Sequence, residues 1–199
     1  MRMLRLTVLL ASGVALTAPA LAARAQVTTT TSNGDVVVYN QKNVVDHLIT
    51  GDSLEIQSAQ LAAMRSQNAA VKSFATMLVT DHTKHLENLR KLAGKRDIGR
   101  ELNAADNSAT AGARMLTRLN AMPADSGFDR AFIRQQVRHH QRALDELATL
   151  RPAAKDDVLQ QDIDATRPVL EKHLAQAKIV AAQLGIPADS LAMPMRRPR

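Results

Sequence analysis

The chain has 199 residues, of which 45% are hydrophobic, 23% charged and 2% aromatic, so one domain of ordinary size is the first expectation. It has no Cys, which excludes a disulfide framework, thiol catalysis, a cysteine-bound metal and a lipid anchor on a processed cysteine. The formal charge of +7 falls to +4 (23 basic against 19 acidic) without Arg2, Arg5 and Arg24, and to +1 without Arg196, Arg197 and Arg199 as well. In a nearly neutral body a basic face that follows a phosphate backbone has little support, so no nucleic-acid partner is expected.

Residues 1–25 read as a secretory signal peptide. Met1-Arg2-Met3-Leu4-Arg5 is followed by an apolar stretch from Leu6 to Leu21 and by two small-residue cleavage patterns, Ala20-Leu21-Ala22 and Ala23-Arg24-Ala25. Cleavage is expected after Ala25 or Ala22. Ser12, Gly13, Thr17 and Pro19 interrupt the apolar run, which argues against a retained anchor. Nothing later approaches the ~20 continuous apolar residues of a spanning helix. The mature protein is therefore expected in the periplasm without a transmembrane helix; peripheral association with the outer membrane is a further option.

Residues 26–42 are Thr-rich, carry Asn33-Gly34 and Val36-Val37-Val38, and have no helical period. They read as a flexible lead-in that allows a short extended piece. A first helix is expected from Asn43, as its cap, to about Arg65, with a stripe including Val44, Leu48, Leu61 and Ala62. A second starts near Asn68, presents Val71, Phe74, Leu78, Leu89 and Leu92, and is expected to end at Gly94. Asp97 to Asp125 is a connection with room for one short helix around Met115, Leu116 and Leu119. Ser126-Gly127-Phe128-Asp129 resembles a capping box and opens a third helix carrying Phe132, Ile133, Val137, Leu144, Leu147 and Leu150, which Pro152 stops. A fourth runs from about Asp156 through Leu159, Ile163, Leu170, Ala177, Val180 and Leu184 to Gly185, with a kink expected at Pro168. Four long amphipathic helices over residues 43–186, and one short helix between the second and third, predict an all-α four-helix bundle. Residues 187–199 read as a disordered basic tail.

An internal repeat appears at an offset of 58 residues: Phe74, Val79, His82, Leu86 and Leu89 recur as Phe132, Val137, His140, Leu144 and Leu147. A duplicated helical hairpin would explain it.

Histidines fall on the apolar stripes. His82 and His85 continue Leu78 toward Leu89 in the second helix, His140 continues Ile133 and Val137 in the third, and His173 follows Leu170 in the fourth. Asp81 lies one turn before His85, Asp129 shares nearly the face of His140, and Glu55 shares a stripe with Leu48 and Ala62. Interior imidazoles with carboxylates on facing helices are how a bundle holds a transition-metal ion, so Glu55, Asp81, His82, His85, His140 and His173 are candidate ligands of a single ion. The other reading is a buried polar layer that fixes helix register. A di-iron carboxylate centre is not expected: no E-x-x-H pair occurs in the second or third helix, and Glu171 and His173 are two residues apart, about 200° around the helix. His47 and His139 lie at stripe edges and read as solvated. Met77 reads as bundle-edge packing, and Met193 and Met195 lie in the tail, away from the histidines. No Ser/His/Asp constellation or glycine-rich phosphate loop is visible, so no catalytic residue is expected.

Four blocks carry a family resemblance: G-D-S-L-E-I-Q-S-A-Q-L-A, V-K-S-F-A-T-M-L-V-T-D-H-T-K-H-L-E-N-L, F-D-R-A-F-I-R-Q-Q-V-R-H-H-Q-R-A-L and R-P-V-L-E-K-H-L-A-Q-A. Together, over about Val44 to Leu184, they resemble the exported bacterial family called domain of unknown function 4142. The resemblance implies a ferritin-like helical bundle, often described as an outer-membrane protein, with no established activity. The chain as a whole reads as an exported protein with a non-enzymatic role in envelope or stress physiology, the alternative being a transition-metal-binding or redox protein. By position, Glu55, Asp81, His82, Phe128, Asp129, His140, Pro168 and His173 fall on recurring positions of that family. S-G-F-D-R-A-F-I and H-H-Q-R-A-L are also similar to domain of unknown function 305, whose double-His helix suggests copper handling. Gln135 and Gln136, where that family favours Met-containing text, and the single His of helix four depart from it.

Overall fold

A computed structural model of the protein describes residues 27–30 and 36–191. The expected signal peptide, the Asn33-Gly34 pair and residues 192–199 of the tail lie outside the described residues. Two strands, β1 (Val27–Thr30) and β2 (Val36–Tyr39), precede five helices: α1 (Gln41–Arg65), α2 (Ala69–Lys95), α3 (Ser108–Ala121), α4 (Ser126–Leu150) and α5 (Asp157–Gln183). The result is the all-α bundle expected, with α1, α2, α4 and α5 as its long helices and α3 in the connection. No described helix is long and apolar enough to cross a membrane.

The start of each long helix is set by a side chain that accepts from otherwise orphaned amides. Asn68 does this for α2 and Asp156 for α5, as their position before the apolar stripes predicts. Two starts differ from expectation. Asn40, not Asn43, caps α1; its Oδ1 accepts from the Lys42 and Asn43 amides, while Asn43 Oδ1 accepts from the Asn40 amide. Asn43 is therefore the reciprocal partner in a capping box, three residues inside. Similarly Asp125, not Ser126, caps α4 through the Gly127 and Phe128 amides. At the other ends, Gly185 takes the left-handed conformation expected after α5 (φ 64°). After α2 that role falls to Asp97 (φ 50°) rather than Gly94, which stays helical because the Ile98 amide reaches back to the Ala93 carbonyl.

The lead-in is more anchored than its composition suggested. β1 and β2 pair antiparallel, Val27 opposite Tyr39 and Thr30 opposite Val36, and Val37 and Tyr39 are buried in the core. Residues 187–191 also depart from the expected disorder. Ala188–Leu191 form a 3-10 turn in which Leu191 is buried and the Ser190 carbonyl accepts from Arg138. The reversal at Gly185 is what brings them back onto the bundle.

Short connections make α1 with α2, and α4 with α5, antiparallel hairpins; α2 then packs on α5 and α1 on α4. The core is two apolar clusters. One, toward β2, holds Ile49, Leu86, Leu147 and Leu170; the other, toward α3, holds Ala59, Leu78, Val137 and Ala177. Each long helix passes from one cluster to the other, and between them each places polar residues at one height: Asp52, Glu55 and Ser58 on α1, His82 on α2, Gln136 and His140 on α4, His173 on α5. Residues 58 apart also meet in space, with ring centroids of Phe74 and Phe132 at 6.3 Å and of His82 and His140 at 6.0 Å.

Candidate metal centre

His82, His140 and His173 come from three helices into the middle of this belt, where they are 7%, 0% and 0% exposed. One nitrogen of each lies within 4.8 Å of the others. His140 Nε2 and His173 Nδ1 are 3.3 Å apart. A tetrahedral ion bound at ~2.0–2.1 Å needs its ligand nitrogens about 3.3–3.4 Å apart, so this pair already has the required spacing.

Hydrogen bonds on the outer nitrogens decide what the inner ones present. His140 Nδ1 faces the Gln136 carbonyl at 2.9 Å. A carbonyl only accepts, so this nitrogen carries the proton and Nε2 carries the lone pair. His173 Nε2 faces Asp81 Oδ2 at 2.9 Å and His82 Nδ1 faces Asp52 Oδ1 at 2.9 Å. Both carboxylates accept, leaving lone pairs on His173 Nδ1 and His82 Nε2. His82 Nε2 is buried without a partner. Three lone pairs therefore converge in a buried space, two of them in contact distance, an arrangement that is repulsive until a cation sits among them. An outer N–H held by a carboxylate or carbonyl is also the usual support of a metal-bound imidazole.

A proton is a poor substitute for that cation. Burial, reinforced by the positive character of neighbouring histidines and opposed by Glu55, lowers His140 to about 3. Burial likewise lowers His173, against its hydrogen bond to Asp81. Glu55 completes the surroundings: it is 1% exposed and its Oε2 has no partner. Burial alone would raise its carboxyl, but His139, His140 and His82 hold it below the ordinary range. It stands beside the three nitrogens rather than among them.

The other candidates form the supporting shell. Asp81 carries His173 and lies 3.7 Å from Lys172. His85 does not join the inner group; its Nδ1 meets Asp52 Oδ2 at 2.7 Å and its Nε2 meets Asp162 Oδ2 at 3.1 Å, with Thr166 Oγ1 at 3.0 Å. Burial would lower His85, but its bonds to Asp162 and Asp52 prevail and raise it to about 10. Asp129 is buried in the α3-side half, away from the site. Asp52 was missed, although it sits between Leu48 and Glu55 at helical steps; Asp162 and the Gln136 carbonyl have no comparable sequence signal. His47 is not solvated as expected. Its Nδ1 meets Asp106 at 2.6 Å and its Nε2 lies 3.5 Å from Glu146. The connection before α3 folds Asp106 onto it, a contact 59 residues distant in sequence. His139 is half-buried, 3.5 Å from Glu55.

A cavity of about 450 Å³ opens beside the belt, bordered by His82, His173 and Glu55 on one side and by Leu48, Leu147 and Leu170 on the other.

Residues 21–180 match the family described as Domain of unknown function (DUF4142), and the chain belongs to that family. No curated protein and no solved structure matches it.

Proposed function

We propose that this protein holds one divalent transition-metal ion in the core of a ferritin-like bundle, through His82 Nε2, His140 Nε2 and His173 Nδ1. In this reading it is an exported, periplasmic protein with a non-enzymatic role in envelope or stress physiology. The supporting observation is the convergence of three buried lone pairs whose outer N–H groups are all taken. Imidazole suits zinc, copper, iron or nickel, and the buried Glu55 carboxylate offsets part of the ion's charge. A second reading, a purely structural polar layer, draws on the bonded run Asp162–His85–Asp52–His82, which ties α5, α2 and α1 together with no ion.

Thermal melts of demetallated protein separate the two. At a hundredfold excess over the dissociation constant a bound ion adds about 2.7 kcal/mol, a rise of roughly 5–10 °C in Tm for a domain of this size. Zinc, copper, iron and manganese are each tested, and His140→Ala is expected to abolish the rise. No rise with any ion leaves the polar layer. Fractionation after gentle salt washing tests the location: release into the periplasmic fraction is expected, and retention in membranes would favour peripheral attachment.

A further inference from the structure

We propose that the bound ion keeps one coordination position open to the adjoining cavity, and that this position takes the carboxylate of a small organic acid whose hydrocarbon part fills the cavity. The inference rests on the metal reading above and adds a ligand to it.

Ligand number is the first support. Among the described residues, the group able to hold an ion consists of His82, His140 and His173 alone. Structural sites of tetrahedral ions close with four protein ligands, whereas sites with three leave a position for water or an exogenous ligand. The open side is also defined. His82 and His173 border the cavity, and His140 does not.

Charge selects an anion. Three neutral imidazoles leave a divalent ion with its full charge, and Glu55 offsets one unit. A monoanion would be drawn to the positive charge of the ion. Of the other carboxylates around the cavity, Asp52 and Asp162 share His85, Glu146 lies 3.5 Å from His47, and Asp81 lies 3.7 Å from Lys172. Glu55 alone keeps an unpartnered buried oxygen among them. Lys84 and Lys172, exposed on the cavity border, favour entry of a negative ligand.

The walls select the rest of the ligand. Leu48, Ala143, Leu147, Leu150, Val169 and Leu170 give the cavity an apolar flank, and its volume of about 450 Å³ falls within the range that takes small organic molecules. A carboxylate with a short alkyl or aryl body satisfies both the ion and these walls.

The test uses the full mature chain loaded with Co2+, whose visible spectrum reports changes in its ligands, titrated with hexanoate, acetate and hexylamine. Hexanoate should shift the spectrum and bind at least about tenfold tighter than acetate, because its added methylenes are buried. Hexylamine should leave the spectrum unchanged. Ala143→Leu and, independently, Ala165→Leu narrow the cavity at positions that are not metal ligands. In either variant Co2+ should load as before and acetate should still bind, while hexanoate loses its advantage. Co2+ that loads but ignores every acid means a closed site and overturns this inference alone. Equal affinity for hexanoate and acetate rejects the cavity as the seat of the hydrocarbon. Failure of Co2+ to load overturns the metal reading and this inference together.

Discussion

Asp52 joins two histidines that do different work. Its Oδ1 fixes the tautomer of His82, and its Oδ2 receives His85. Burial would raise its carboxyl, but the hydrogen bonds from His82 and His85 hold it below the usual range, so it stays an acceptor on both sides. Asp52→Asn puts an amide where that carboxylate stood and weakens the control over which His82 nitrogen carries the proton. Affinity for Zn2+ in competition with a chelator should fall about 10–100-fold, the effect typical of losing such a support, while the demetallated variant remains folded. Unchanged affinity would mean that His82 is not a ligand or that Asp52 does not orient it.

At the level of the helices, much of the architecture was legible because period and punctuation agree. Asn68 and Asp156 stand where the stripes begin and do cap α2 and α5, and His82, His140 and His173 stay in phase with Leu78, Val137 and Leu170 and do point inward. Less legible was whatever depends on contacts between elements. Asn43 and Ser126 looked like caps, yet the chain enters each helix one to three residues earlier because Asn40 and Asp125 reach the free amides. Val37 and Tyr39 are buried and Val38 exposed, a strand alternation too short to stand out beside the Thr-rich text before it. Nor can a stripe show that the acceptor of His140 is the main chain of Gln136, since every helical residue has a carbonyl. Pro168 was visible and lies inside α5, five residues before His173, where its ring deprives the Asp164 carbonyl of its usual amide. Pro168→Ala restores that donor and should stabilise the demetallated protein by about 1–3 kcal/mol in urea unfolding. A loss of stability would show that the local shape set by the ring is needed to place His173.

Across the whole molecule, the histidines pull stability in opposite directions with pH. His85 is raised to about 10 and His47 to about 9, the latter by Asp106 and Glu146 against a burial effect that would lower it. Both bind protons more tightly folded than unfolded, so their contribution is complete below the unfolded value of about 6.5 and is lost as pH rises toward 9 and 10. His140 behaves conversely: its contribution is complete above about 6.5 and is lost as pH falls toward about 3, because the unfolded chain accepts a proton the folded one refuses. Demetallated protein should therefore be most stable near neutrality. In His85→Gln the alkaline decline between about pH 7 and pH 10 should be shallower, as followed by Tm at fixed ionic strength. An unaltered decline would place the alkaline loss elsewhere, with His47.

The polar belt also orders events in the life of the chain. Its three inner nitrogens are contributed by α2, α4 and α5, and His173 follows His82 by 91 positions. A partial chain that stops before α5 offers two of them at most, and the apolar clusters that align them are equally incomplete. Loading would thus be the last step of maturation, and a metallated molecule would be certified as having assembled both of its helical hairpins.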